Sequence, residues 1–165
     1  MMADTDLLQA AERIAAQNQA VVVSLQNSTE PDLFAALAQR VQEATQGSSG
    51  IARMTAIDLD RLPRDSATVA LGRRILARWS RATYDFLCKS GGSDDDLRHR
   101  LMSALTGREG GAPALLAGTL VAAFGLSPAV AALVAALLMK LVIAPAKDEL
   151  CQSWAAALNA AGTAA

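Results

Sequence analysis

The chain has 165 residues, enough to bury one hydrophobic core without disulfides or metal ions. Hydrophobic residues make up 52%, charged residues only 19% and aromatic residues 4%, which favours closely packed helices over a β-sandwich. The formal net charge of −1 argues against a dedicated nucleic-acid binder. We therefore predict an all-α protein, a compact bundle of about six helices that forms a single domain over residues 1–165.

The first predicted helix begins near Asp4 and carries apolar residues at helical spacing as far as Leu25. Its last part is ambiguous because Val21–Val23 are β-branched and could also form a short extended segment. We favour the helix. It belongs to an acidic N-terminal part that we place at residues 1–46.

The start of the second helix has the clearest signal in the chain. Either Ser28 or Thr29 can cap it, and Glu30 and Pro31 follow in the first turn. Apolar residues then continue at helical spacing, and the helix should end at Gly47.

Charge is distributed unevenly along the chain. Residues 1–50 contain six acidic residues and two arginines, whereas residues 53–81 contain seven arginines and three acidic residues. Such an asymmetry can be satisfied within one fold, between subunits, or by an anionic partner.

A connection and a third helix follow. Residues 47–66 show no sustained helical period and are predicted to be a connection. Helical spacing returns over residues 67–90, where an apolar stripe lies on one face and Arg74, Arg78 and Arg81 lie on another. We call these three residues the arginine row, and we expect them to form salt bridges with the acidic N-terminal helices or with a partner.

Ser93 is predicted to cap a short fourth helix whose first turn contains three consecutive aspartates. The only histidine of the chain, His99, follows Asp95 by four residues. That spacing can place two metal ligands on one helical turn, but no third ligand is evident. We predict a solvated helix start and no metal site.

A long uncharged segment dominates the C-terminal half. No charged side chain occurs between Glu109 and Lys140, and the segment is interrupted once, at Gly125–Pro128. Within this interruption the glycine suits a left-handed residue that ends a helix, the serine can cap the next helix, and the proline needs no N–H partner there. The pattern predicts an apolar helical hairpin over residues 113–144.

Two interpretations of this hairpin remain open. Its first arm is short for a hydrocarbon core of about 30 Å, and its second arm contains Lys140. We favour a hairpin buried in a soluble bundle. The alternative is a membrane-inserting protein, pore-forming or membrane-anchoring, that uses the hairpin.

Beyond Pro145 the pattern stays helical, and Leu150, Trp154 and Leu158 keep one face apolar. We favour a kink at the proline over a new helix, since its alanine neighbours offer no cap. Residues 67–165 would then form the helical core. Because the chain is more apolar than a typical monomer, we expect this last face to bind a partner, with Trp154 as its anchor.

The two cysteines, Cys88 and Cys151, lie far apart in apolar helical patterns, and we expect both to be buried, reduced thiols. The N-terminus is acidic and lacks the basic start of an export signal. This N-terminus predicts a cytoplasmic location, with membrane association still open, and the abundance of alanine and arginine indicates a bacterial source.

No nucleophile turn, nucleotide-binding loop or cluster of metal ligands is recognisable, so we expect no enzyme, no catalytic residue, no cofactor and no metal. The expected function is non-enzymatic protein–protein interaction, as an adaptor or self-assembly module of a bacterial multi-protein system. We expect a protein partner or a homo-oligomer, and we consider nucleic acid unfavourable. The candidate partner-binding residues are Arg74, Arg78, Arg81, Leu150, Trp154 and Leu158.

Overall fold

A computed structural model of the protein describes residues 4–45, 66–89, 95–107, 111–144 and 149–163. Within these ranges the chain forms seven α-helices and one π-helical turn, with no strand. The elements in chain order are α1 (Asp4–Gln26), α2 (Glu30–Thr45), α3 (Ser66–Cys88), α4 (Asp95–Thr106), α5 (Ala112–Phe124), α6 (Pro128–Leu138), the π turn (Met139–Ile143) and α7 (Leu150–Thr163). The predicted all-α class is confirmed, and a compact bundle fits this arrangement.

Helix α1 continues through Val21–Val23, so the helical interpretation of these β-branched residues is confirmed. Val22 is buried, whereas Val23 leaves 46% of its surface exposed. Tertiary packing of one face thus overrides the weak helix propensity of valine.

Helix α2 starts as its capping signal predicted. The hydroxyl oxygen of Thr29 accepts a hydrogen bond from the backbone N–H of Asp32 at 3.4 Å. The next six residues, Leu33–Ala38, are all buried. A helix that is buried on every side needs several neighbours, and α2 packs mainly against α3 and α6.

Two glycines allow close helix crossings. A Cβ atom on Gly118 of α5 would collide with the backbone carbonyl oxygen of Ala11 in α1. A Cβ atom on Gly72 of α3 would collide in the same way with the carbonyl oxygen of Phe34 in α2. At both crossings the absence of a side chain lets two backbones touch, which brings α5 onto α1 and α3 onto α2.

The turn between α5 and α6 has the predicted local structure. Gly125 is left-handed, with φ of 71°, and its N–H donates to the carbonyl oxygen of Val121. That bond is the one that defines the αL type of helix end, and the N–H of Leu126 donates in addition to the carbonyl oxygen of Leu120. Ser127 accepts a hydrogen bond from the N–H of Val130 and caps α6.

Lys140, the charged residue that ends the long uncharged segment, lies in the π turn. Its Nζ atom donates a hydrogen bond of 2.7 Å to the backbone carbonyl oxygen of Ser28, just beyond the C-terminus of α1. A cation is favourable at this end of a helix because the last carbonyl groups carry partial negative charge. The contact ties the end of α6 to the turn between α1 and α2.

The described residues contain seven α-helices where we expected about six, because Leu150–Thr163 forms a separate element. Most of the predicted connection at 47–66, the cap at Ser93 and the kink at Pro145 lie outside the described residues. Position 66 already belongs to α3.

None of the helices in the described ranges is both long enough and apolar enough to cross a membrane.

Candidate functional site

Helix α3 has one face in the core and another exposed face that carries arginines. Its inner face packs into the core through buried side chains that include Leu76, Thr83 and Leu87. The arginine row, Arg74, Arg78 and Arg81, is exposed on the same helix. Residues three and four positions apart lie on one side of a helix, so the three guanidinium groups share one outward face.

The arginine row forms no ion pair with any other residue that the structure describes. Of the two expected pairings, the one with the acidic N-terminal helices is therefore not seen among the described residues, and the one with a partner stays a prediction. Glu12 of α1 instead contacts Arg100 of α4, with Nε and Oε1 3.6 Å apart. The reason is orientation: α3 turns its inner face to α2, and the arginine row points away from it.

An aromatic cluster borders the arginine row. Trp79 and Phe86 of α3 contact Phe124 at the end of α5, with ring centroids 6.1 Å and 5.8 Å apart. All three side chains are half-buried. The guanidinium group of Arg78 lies over the ring of Trp79, 5.5 Å from its centroid. Helical spacing alone brings Trp79 and Phe86 to one side of α3, whereas Phe124 of α5 joins them only through the fold.

On its other side α3 contacts α7 through Ser80, Tyr84 and Cys88, which are spaced four residues apart. The indole Nε1 of Trp154 donates a hydrogen bond of 2.9 Å to the hydroxyl oxygen of Ser80. The ring of Tyr84 meets that of Trp154 edge to face, with centroids 6.0 Å apart. Cys88 forms a disulfide with Cys151.

These contacts place the predicted C-terminal partner face inside the chain's own fold. Trp154 has 0% of its surface exposed and Leu150 is buried, while Leu158 is half-buried and packs against the core. The apolar stripe of α7 is buried against α3 and the π turn. In this conformation Trp154 has no surface with which to anchor a partner.

The expectation of two reduced thiols is wrong. Cys88 and Cys151 are joined, with Cα atoms 5.7 Å apart and 63 positions between them in the sequence. Disulfides are rare in reducing compartments. The disulfide does not favour a reducing compartment, and the cytoplasmic location stays a prediction.

The buried hydroxyl groups take part in local structure. The hydroxyl of Thr83 donates to the carbonyl oxygen of Trp79, and that of Thr119 donates to the carbonyl oxygen of Leu115. His99 is exposed on α4. The described part of the chain contains no group of three His, Cys, Asp or Glu residues that could hold a metal ion.

The chain matches no protein-family model, no curated protein and no solved structure. Its function must therefore be argued from its own surfaces.

Proposed function

We propose that the protein is a non-enzymatic protein–protein interaction module and that the arginine row of α3 binds an acidic protein surface. One observation carries the proposal: Arg74, Arg78 and Arg81 are exposed on one face and form no ion pair with a described residue. A guanidinium group matches a carboxylate with two parallel hydrogen bonds, so three of them in a row suit an acidic partner.

The neighbouring aromatic cluster supports this assignment. Tryptophan and arginine are enriched among the residues that dominate binding energy at protein interfaces. Here the guanidinium group of Arg78 lies over the ring of Trp79, and the half-buried rings of Phe86 and Phe124 continue the apolar surface beside it. The matching partner surface would combine carboxylates with at least one apolar side chain.

A second copy of this chain is the first such partner to test. Its residues 1–50 contain six acidic residues against two arginines, and the side chains of Asp6 and Glu30 are exposed. Charge complementarity between this acidic part and the arginine row would produce a self-assembling module. An acidic protein of another kind would make the chain an adaptor.

Within this proposal the apolar hairpin at 113–144 serves as the core of the module and not as a membrane anchor. Leu116, Leu133 and Leu137 are completely buried, and Gly118 lies against the backbone of α1. Lys140 is bound to a backbone carbonyl of the α1–α2 turn. Insertion into a membrane would have to break all of these contacts.

The decisive experiment reverses the charge of the arginine row. We expect wild-type protein to self-associate in sedimentation experiments at low salt and to dissociate at high salt, because salt screens exposed charges. The triple variant R74E/R78E/R81E should keep its helical circular dichroism and lose association by about tenfold or more, since each lost pair becomes a repulsion. The matched variant R74K/R78K/R81K keeps the charge and should retain part of the association.

Should the wild type stay monomeric, a photo-crosslinking amino acid at Ala77, which is exposed on α3, tests for another partner in cells. An acidic protein captured by wild type and not by the Arg→Glu variant supports the adaptor role. Loss of the fold in that variant would contradict the proposal, because the row would then stabilise the chain itself. Wild-type binding to single-stranded nucleic acid or anionic vesicles that the variant lacks would also contradict it.

A further inference from the structure

Helix α7 is attached to the protein along one side only. It packs mainly on α3 and on the π turn, whereas α5 packs against α1, α4 and α6. Its outer side chains, such as Gln152 and Ser153, are exposed. An isolated helix of 14 residues is marginal in water, so α7 depends on its contacts with α3 for its structure.

Those contacts are concentrated within about one helical turn. In α7, Cys151 is joined to Cys88, the last residue of α3. Three residues after Cys151, Trp154 donates its hydrogen bond to Ser80 of α3. Both cysteines are half-buried and not enclosed in the core. A small thiol reagent can approach a sulfur atom in such a position.

We propose that the Cys88–Cys151 disulfide is a redox-controlled latch, which keeps α7 docked on α3 when oxidised and lets it leave when reduced. The reductant is a dithiol. One of its thiolates attacks a sulfur of the disulfide, which breaks the S–S bond and forms a mixed disulfide. Its second thiol then displaces the protein sulfur from the mixed disulfide. In total, two electrons and two protons pass from the dithiol to the protein, so that Cys88 and Cys151 become thiols and the dithiol becomes a disulfide.

Opening the latch would expose a surface that is hidden in the oxidised protein. Leu150, Trp154 and Leu158 of α7 would become accessible, together with Ser80 and Tyr84 of α3. Proteins open locally where buried contacts are fewest, and α7 meets that condition better than the helices of the core. This device is independent of the arginine row, which is exposed whether α7 is docked or not.

Hydrogen exchange followed by mass spectrometry tests the latch on wild-type protein, with and without dithiothreitol. On reduction we expect amide exchange to accelerate about tenfold or more in α7 and in residues 80–88. Exchange in α5 and α6 should stay unchanged. In a Trp79→Phe background, the fluorescence of Trp154 should shift to longer wavelength on reduction as its ring becomes hydrated, and reoxidation should reverse the shift.

The double variant Cys88→Ser/Cys151→Ser is the matched control. Its α7 should exchange rapidly with or without dithiothreitol, which shows that the effect arises from this disulfide. Equal protection of α7 in oxidised and reduced wild type would overturn the proposal, since packing alone would then hold the helix. Simultaneous loss of protection in α5 and α6 would also overturn it, as would two free thiols in protein purified without reductant.

Discussion

Two helix junctions in this protein, α1 on α5 and α3 on α7, are held together in different ways. At the first junction Gly118 lies against the backbone of Ala11, and the surrounding contacts come from small and aliphatic side chains. At the second, one disulfide, one side-chain hydrogen bond and one tryptophan ring make the principal contacts.

The difference lies in how the free energy of each junction is distributed. Many small dispersion contacts are individually weak, so a core of this kind tolerates the loss of a methyl group better than the addition of bulk or charge. A junction built on a few specific contacts responds strongly when one of them is removed. The first junction should therefore be most sensitive to substitutions that add side-chain atoms, and the second to substitutions that remove a contacting group.

The largest effect is expected for a charge placed in the core. Leu133 of α6 has no exposed surface, and the variant Leu133→Asp would bury a carboxylate without a partner. We expect a loss of roughly 4 kcal/mol or more in the free energy of unfolding, seen as loss of soluble protein. Val23→Asp on the exposed side of α1 is the matched control and should cost about 1 kcal/mol or less. Equal urea midpoints for both variants would contradict the burial of α6.

The next effect tests the close crossing of α1 and α5. In Gly118→Val the new side chain meets the carbonyl oxygen of Ala11, so the two helices must separate. We expect a loss of about 3 kcal/mol in urea unfolding. Gly111→Ala is the control, because a Cβ atom there meets no other atom, and it should cost about 1 kcal/mol or less through the helix cap. A Gly118→Val protein as stable as wild type would show that the helices do not touch at this point.

The smallest effect concerns the hydrogen bond between Trp154 and Ser80. Trp154→Phe and Ser80→Ala each remove one partner, and each should lower the free energy of unfolding by about 1–3 kcal/mol. In the double variant the losses should not add, and the coupling energy between the two positions should be about 1 kcal/mol. Strict additivity in urea unfolding would mean that the bond contributes nothing to the junction.

Local features of the fold were predictable because their causes lie within a few residues. The cap at Thr29, the left-handed Gly125 and the cap at Ser127 each depend on neighbouring residues in the chain, and the structure contains all three. The exposed arginine row follows from helical spacing in the same way. Hydrophobic composition and periodicity were sufficient to predict the all-α class, since the periodicity of each helix also depends on that helix alone.

Contacts between distant segments were decided by the tertiary structure alone. Helical periodicity shows that α7 has an apolar face around Trp154. The sequence pattern of such a face is the same whether a partner or the chain's own α3 packs against it. Cys88 and Cys151 are 63 positions apart, and Lys140 and Ser28 are 112 apart, so no local pattern pairs them. The sequence by itself determined which helix faces are apolar and must be buried. The packing of the helices decided which element buries each face, because that choice depends on the shapes of all the elements together.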